Sequence, residues 1–163
     1  MKIQFENKYY KTYEMMSEYV NKILCKTIIK MGTVFSIVAI IMVTVTGISQ
    51  DYVLMAVFGV CLILFAFSTI VAPRIILNQL IESDQRMHKG ESLETVVQFG
   101  DDISITKGSS SSKAEYSQII KVHYLKKSWV IMFGKSNGIM LSPDHFTIGE
   151  TQDFKKFIKE KSI

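Results

Sequence analysis

The stretch "TGISQDYV", residues 46–53, interrupts the most apolar part of a 163-residue chain. Upstream, Met31 to Val45 carries no charge, and downstream Tyr52 to Ala72 carries none. Between them stand Gly47, Ser49, Gln50 and Asp51. The stretch is either a kink in one long helix or the tip of a helical hairpin. A bilayer core about 30 Å thick takes about 20 apolar residues as helix. Met31–Ile48 and Tyr52–Ala72 each come close to that length. One continuous helix would place Gln50 and Asp51 at the bilayer centre, at a cost of roughly 3 kcal/mol or more. A tip in water avoids that cost, and Gly47 with Ser49 supplies turn chemistry. The reading is a two-helix transmembrane hairpin over residues 31–72. A soluble helix pair would carry polar residues along its outer face, and neither run does. A charged segment of about thirty residues before the first run is not the pattern of a secretory signal peptide.

Orientation follows from the basic residues. All 19 Lys and Arg lie outside residues 31–72. Lys22, Lys26 and Lys30 lead into the first run, and Arg74, Arg86 and Lys89 follow the second. The positive-inside rule then puts both chain ends on the cytoplasmic side. Lys22, Lys26 and Lys30 recur every four residues and form one stripe on a helix, ending at the headgroups. Each such charge gains about 1 kcal/mol near anionic lipid. They are read as an anchor and topology signal, and as a candidate anionic-lipid contact. The net charge of +4 is absorbed by that role, so nucleic acid is not an expected partner. Cys25 and Cys61 should differ in depth, which implies no disulfide.

The flanking segments carry different periods. "KIQFEN" alternates like a short strand. From Lys8, the residues Tyr9, Tyr13, Met16, Val20 and Leu24 recur at helical spacing and predict an amphipathic helix running straight into the first span. Residues 1–30 thus form one cytoplasmic segment and residues 73–91 a linker helix. Pro73 opens a fresh helical turn there, Ile76, Leu77, Leu80 and Ile81 form an apolar stripe, and Gly90 ends it. Residues 92–163 read as a cytoplasmic domain of five or six antiparallel strands closed by a helix. Val97 and Phe99 share one strand face, Ile103 and Ile105 another, with a turn at Gly100 and Asp101. "SSSS", residues 109–112, reads as a flexible connection. Ile120, Val122 and Tyr124 alternate, as do Trp129, Ile131 and Phe133; "SNG" at 136–138 is a turn before Ile139 and Leu141. Thr147 and Glu150 have capping-box spacing, and Phe154, Phe157 and Ile158 form the buried face of the last helix.

The strand "EYSQIIKV", the strand ending in "MLSP", Phe146 and the helix around "DFKKFIKE" carry a resemblance. The stretch Glu115–Lys161, together with the two-span architecture, resembles the YcxB-like family of bacterial membrane proteins. Ser142 departs from that pattern, which runs from Leu directly to Pro. The resemblance implies a bacterial cytoplasmic membrane location. It also implies that residues 92–163 are an antiparallel split barrel like pleckstrin-homology and GRAM domains, capped by a C-terminal helix. The fold class expected is therefore a membrane α-helical hairpin plus an α+β cytoplasmic domain. The resemblance assigns no active-site residue.

The residues offer little chemistry. His88, His123 and His145 lack metal-ligand spacing, and there is no phosphate-binding loop, nucleophile elbow or zinc-protease motif. No catalytic residue, cofactor or metal is expected. In the loop "KGSSSSK", Lys107 and Lys113 are candidates for an anionic lipid or phosphate contact. The expected function is a non-enzymatic, membrane-anchored binding or regulatory module. Its expected partners are membrane lipids and either a membrane protein or a second copy of the chain. The alternatives are an immunity or resistance factor against a membrane-active toxin and an accessory subunit of a transporter.

Overall fold

The structure, a computed structural model, describes residues 3–87, 93–134 and 137–162. The expected helix end at Gly90 and Ser136 of the turn at 136–138 lie outside the described residues. The chain divides into two compact units, Met1–Tyr19 with Ser83–Ile163, and Val20–Glu82. The strand-rich unit therefore takes in chain from both sides of the apolar pair, beyond the 92–163 segment.

Its first strand is β1 (Phe5–Tyr9) and its first helix α1 (Tyr13–Tyr19). The expected unbroken helix from Lys8 does not form. Tyr9 is held in the sheet, where its hydroxyl donates to the Met140 carbonyl. The helix starts four residues later, where the Thr12 hydroxyl accepts from the Met15 N–H, as an N-cap does. One π turn follows at Val20–Leu24, closed by Cys25 N–H to the Val20 carbonyl at 2.7 Å, and Cys25 precedes the next helix.

That helix is α2 (Lys26–Ile48), and after a tight turn comes α3 (Tyr52–Met87). Both are long and apolar enough to cross a membrane. The turn at Ser49–Asp51 resolves the opening question in favour of a tip. Gln50 adopts a φ of 56°, and the Asp51 carboxylate accepts the Leu54 N–H at 3.1 Å, capping α3. The two helices meet where Phe35 stacks on Phe65 with centroids 5.2 Å apart. Gly32 faces Thr69 so closely that a Cβ there would collide with the threonine hydroxyl. The hydroxyls of Thr33, Thr44, Thr46 and Thr69 each return to the carbonyl four residues back. They thereby leave no polar demand on a lipid surrounding. Ile37, Ile41, Val57, Ile63 and Phe67 are exposed, an apolar surface suited to hydrocarbon. Pro73 lies inside α3 instead of opening a new helix. Proline removes one backbone hydrogen bond, whereas unwinding the helix would expose several peptide groups.

The strand-rich unit holds two antiparallel sheets. In order of chain, β2 (Thr95–Phe99), β3 (Ile103–Lys107) and β4 (Ser110–Ala114) follow α3. After a 3₁₀ turn at Tyr116–Gln118 come β5 (Lys121–Tyr124), β6 (Trp129–Met132), β7 (Gly138–Leu141), β8 (Phe146–Ile148) and α4 (Thr151–Lys161). One sheet has the order β4-β3-β2-β1-β8, the other β5-β6-β7. The turn at Gly100–Asp102 forms where expected, closed by Gly100 N–H to the Asp102 carbonyl. The serine run is not a loose connection: Ser110, Ser111 and Ser112 pair in register with Lys107, Thr106 and Ile105. Gly108, at φ 57°, takes the left-handed conformation that a two-residue hairpin turn demands. Pairing to β3 thus overrides the low strand preference of serine.

Burial explains the rest. Phe154 and Ile158 are fully buried. The Phe154 ring lies 4.7 Å from Phe99, 5.0 Å from Phe146 and 5.4 Å from Phe5. All four residues of β6 are buried, so this strand is covered on both faces where alternation predicts one. The carboxylate of Glu18 in α1 accepts the Lys126 and Lys127 N–H groups in the β5–β6 turn, and Glu14 pairs with Lys127 at 3.0 Å. The expected capping box fails because the Thr147 hydroxyl donates to the Glu6 carboxylate at 2.7 Å. Glu150 takes the cap position of α4 with no side-chain bond.

β1 joins the sheets. Phe5, Asn7 and Tyr9 alternate onto one face. The Asn7 carboxamide, fully buried, donates to the Ser142 carbonyl at 2.7 Å and accepts the Ser142 N–H at 3.0 Å. On the opposite face, Glu6 accepts from Gln98 at 2.6 Å and from Thr147, and pairs with Lys8 at 2.9 Å. Hydrogen bonds from Gln98 and Thr147 outweigh its burial and, with Lys8, bring its pKa from 4.5 to about 2.

Two outcomes follow for stability. Asn7→Leu leaves the Ser142 N–H buried and unpaired and leaves its carbonyl with the His145 N–H alone, and is expected to cost about 2 kcal/mol in denaturant unfolding of the detergent-solubilised protein. The Glu6 carboxyl is depressed on folding, so its contribution is full above about pH 4.5 and is lost as pH falls toward 2. Glu6→Gln should lose about 2 kcal/mol at neutral pH and flatten the unfolding profile across that acid window.

Candidate functional site

Sheet register places the candidate site. Tyr9 pairs with Thr95, Thr95 with Lys107, and Lys107 with Ser110. These residues form a cross-strand row at one end of the sheet, on the face that carries Phe5, Val97, Phe99 and Ile103. Lys107 thus continues the inward stripe Ile103–Ile105–Lys107 and is only 13% exposed. A recess of about 130 Å³ opens there, walled by Ile105, Ile139 and Met140 and edged by Tyr9, Lys11, Thr95 and Lys107.

One carboxylate organises the recess. Asp84, in the last turn of α3, accepts from Lys107 Nζ at 2.6 Å and from Lys11 Nζ at 3.1 Å through the same oxygen, Oδ1. Burial raises its pKa, but the Lys107 hydrogen bond and the Lys11 charge prevail and hold it below the usual carboxylate value. The Thr95 hydroxyl is buried without a hydrogen bond of normal geometry. The neighbouring Tyr9 hydroxyl is committed to the Met140 carbonyl, and burial pushes its pKa up.

The five lysines singled out in the sequence do not form one site. Lys26 and Lys30 lie one turn apart on α2, exposed. Lys22 sits on the preceding π turn. Lys113 pairs with Ser104, so it projects from the opposite sheet face to Lys107. There it edges a separate groove of about 190 Å³ with Asp102, Glu115 and Gln118. The "KGSSSSK" stretch therefore separates its two lysines. Lys11 and Asp84 were missed: they belong to the site through the fold alone, being 73 residues apart. The parity of "ISITK", which turns Lys107 inward with Ile103 and Ile105, is the signal that could have found the recess.

A larger hollow of about 420 Å³ lies at the start of α4, lined by Asp144, Phe146, Glu150 and Thr151 among others. Beside it, Ser142 Oγ lies 2.8 Å from His145 Nδ1. This pair closes a turn, because His145 N–H also bonds the Ser142 carbonyl and both Ser142 backbone groups are held by Asn7. Comparison of the chain with family models, with curated proteins and with solved structures finds no match.

Lys107→Met removes the hydrogen bond that does most to lower the Asp84 pKa. The Asp84 carboxyl, followed by carbon-13 resonance against pH, is expected to titrate at higher pH in the variant. Stability should drop by about 1 kcal/mol, as for a partly exposed ion pair. An unmoved titration would mean that Lys107 does not govern this carboxylate.

Proposed function

We infer that this chain is a non-enzymatic, membrane-anchored binding module, related in kind to the YcxB-like proteins it resembles. Two helices hold a pleckstrin-homology-like domain at the inner face of a bacterial cytoplasmic membrane, with both termini cytoplasmic. The domain contacts anionic lipid or a partner membrane protein and regulates a membrane process. The observation that carries this reading is the pairing of β1 with β2 across the apolar helices. Residues just before and just after the helix pair are neighbours in one sheet, so a bilayer can be crossed only an even number of times between them. The absence of basic residues from the tip supports the inward orientation of the domain.

The strand plan supports the pleckstrin-homology-like reading. β1 to β4 form one antiparallel meander, β5 to β7 a second, and a helix ends the chain. Such a plan seals one end of two packed sheets with the helix and leaves loops at the other to meet a ligand. The binding role itself rests on fold-level analogy and on the basic residues, not on a catalytic constellation.

Orientation is tested by single cysteines in a background without Cys25 and Cys61. Cysteine at Ser49 should react with a membrane-impermeant maleimide in intact cells, and cysteine at Lys113 only after permeabilisation. The reverse pattern would overturn the placement. Binding is tested by purifying the full-length protein from native membranes in mild detergent. A membrane protein or anionic lipid retained in stoichiometric amount is expected; a chain recovered with neither would contradict a binding module.

A further inference from the structure

Two ammonium groups converge on one carboxylate oxygen beside an unfilled recess. Lys107 is the more enclosed, and Asp84 and Lys11 are 24% and 28% exposed. The three charges sum to +1, so the cluster still attracts an anion. The seat that Asp84 Oδ1 occupies is one that an oxygen of an incoming anion could take, because both lysines already point at it. A carboxylate uses only part of what the recess offers. The buried Thr95 hydroxyl lines the same recess; its polar neighbour is the Tyr9 hydroxyl, whose proton goes to the Met140 carbonyl, so Thr95 retains hydrogen-bonding capacity to offer an incoming oxygen. A tetrahedral anion with several acceptor oxygens can accept from Lys11, Lys107 and Thr95 together, which one Asp84 oxygen does not.

From this geometry we propose that Lys11, Lys107 and Thr95 form a phosphate seat, and that Asp84 is its internal plug. The ligand is a phosphate group, as a lipid headgroup or as a free phosphate compound. A recess of about 130 Å³ admits that group and little more. Phosphate entry displaces Asp84 and so frees the last turn of α3 from β3 and from the segment before α1. The ligand is thereby coupled to the end of the second apolar helix. The proposal rests on the reading of a membrane-held binding module and names the chemistry that the module recognises.

The test uses the full-length protein with carbon-13 labelled isoleucine methyl groups. In phosphatidylcholine nanodiscs, sodium phosphate is titrated against sodium chloride of equal ionic strength. In parallel, nanodiscs with and without phosphatidate are compared in phosphate-free buffer. Saturable shifts of the Ile105 and Ile139 methyls are expected in at least one arm. Shifts with dissolved phosphate identify a soluble ligand, and shifts with phosphatidate alone identify a headgroup; both support the seat. Asp84→Asn should bind about fivefold tighter, the worth of one partly exposed ion pair. Lys107→Gln should bind about tenfold more weakly or worse, and Lys113→Gln should bind unchanged. Absence of shifts in both arms, persistence of binding in Lys107→Gln, or weakened binding in a folded Asp84→Asn would each overturn the proposal. If Asp84→Asn does not fold, the titration of the unaltered protein decides alone. The methyl shifts can be absent while the cysteine pattern and the purified partner stand, so this inference and the function beneath it fail separately.

Discussion

The strand-rich unit depends on the Asn7 carboxamide. It meets the peptide N–H and C=O of Ser142 as a neighbouring strand would, but from a side chain and across to the end of β7. Two residues away on the same face, Tyr9 bonds the Met140 carbonyl, and two residues the other way, Phe5 enters the ring cluster around Phe154. One five-residue strand thus connects the two sheets and the closing helix. Each of its inward residues uses a different interaction, and each pairs with chain more than 130 residues away.

This constraint gives the apolar helices their place in the chain. They are inserted between two strands that hydrogen-bond to each other, β1 and β2. The sheet therefore cannot be completed until the chain has passed through both helices and returned. Loop closure over such a span has an entropic cost that grows only slowly with length, and two helices that pack on each other shorten the effective span. Gly32 against Thr69 and Phe35 against Phe65 supply that packing. Asp84 then fastens the returning helix, tying its last turn to Lys11 before α1 and to Lys107 at the end of β3.

The sequence shows the helices, the tip and most strands because those rest on local signals. Charge is missing over two runs of membrane length, "TGISQDYV" has turn residues, and Phe154 and Ile158 fall on one helix face. What it hides is set by partners distant in sequence. The serines of β4 become a strand because β3 offers them hydrogen bonds. Thr147 leaves its capping role because Glu6 is within reach, and Tyr9 leaves its helical stripe because Met140 lies opposite. Glu6 and Asn7 are adjacent polar residues in a short strand, and nothing local reveals that both are buried in hydrogen-bond networks. The candidate site suffers the same way. Lys107 was visible as a cation, but its enclosure and its pairing with Asp84 belong to the folded sheet.

The central claim is that residues before the helix pair complete the domain that follows it. Its most direct measurement is hydrogen exchange on a chain in which residues 1–19 are joined by a short flexible linker to residues 83–163, compared with residues 93–163 alone. The account predicts slow exchange at Val97, Phe99 and Ile131 in the joined chain and near-unprotected exchange in the shorter one, which lacks β1. Equal protection in both would contradict it and make β1 an accessory to a domain already complete.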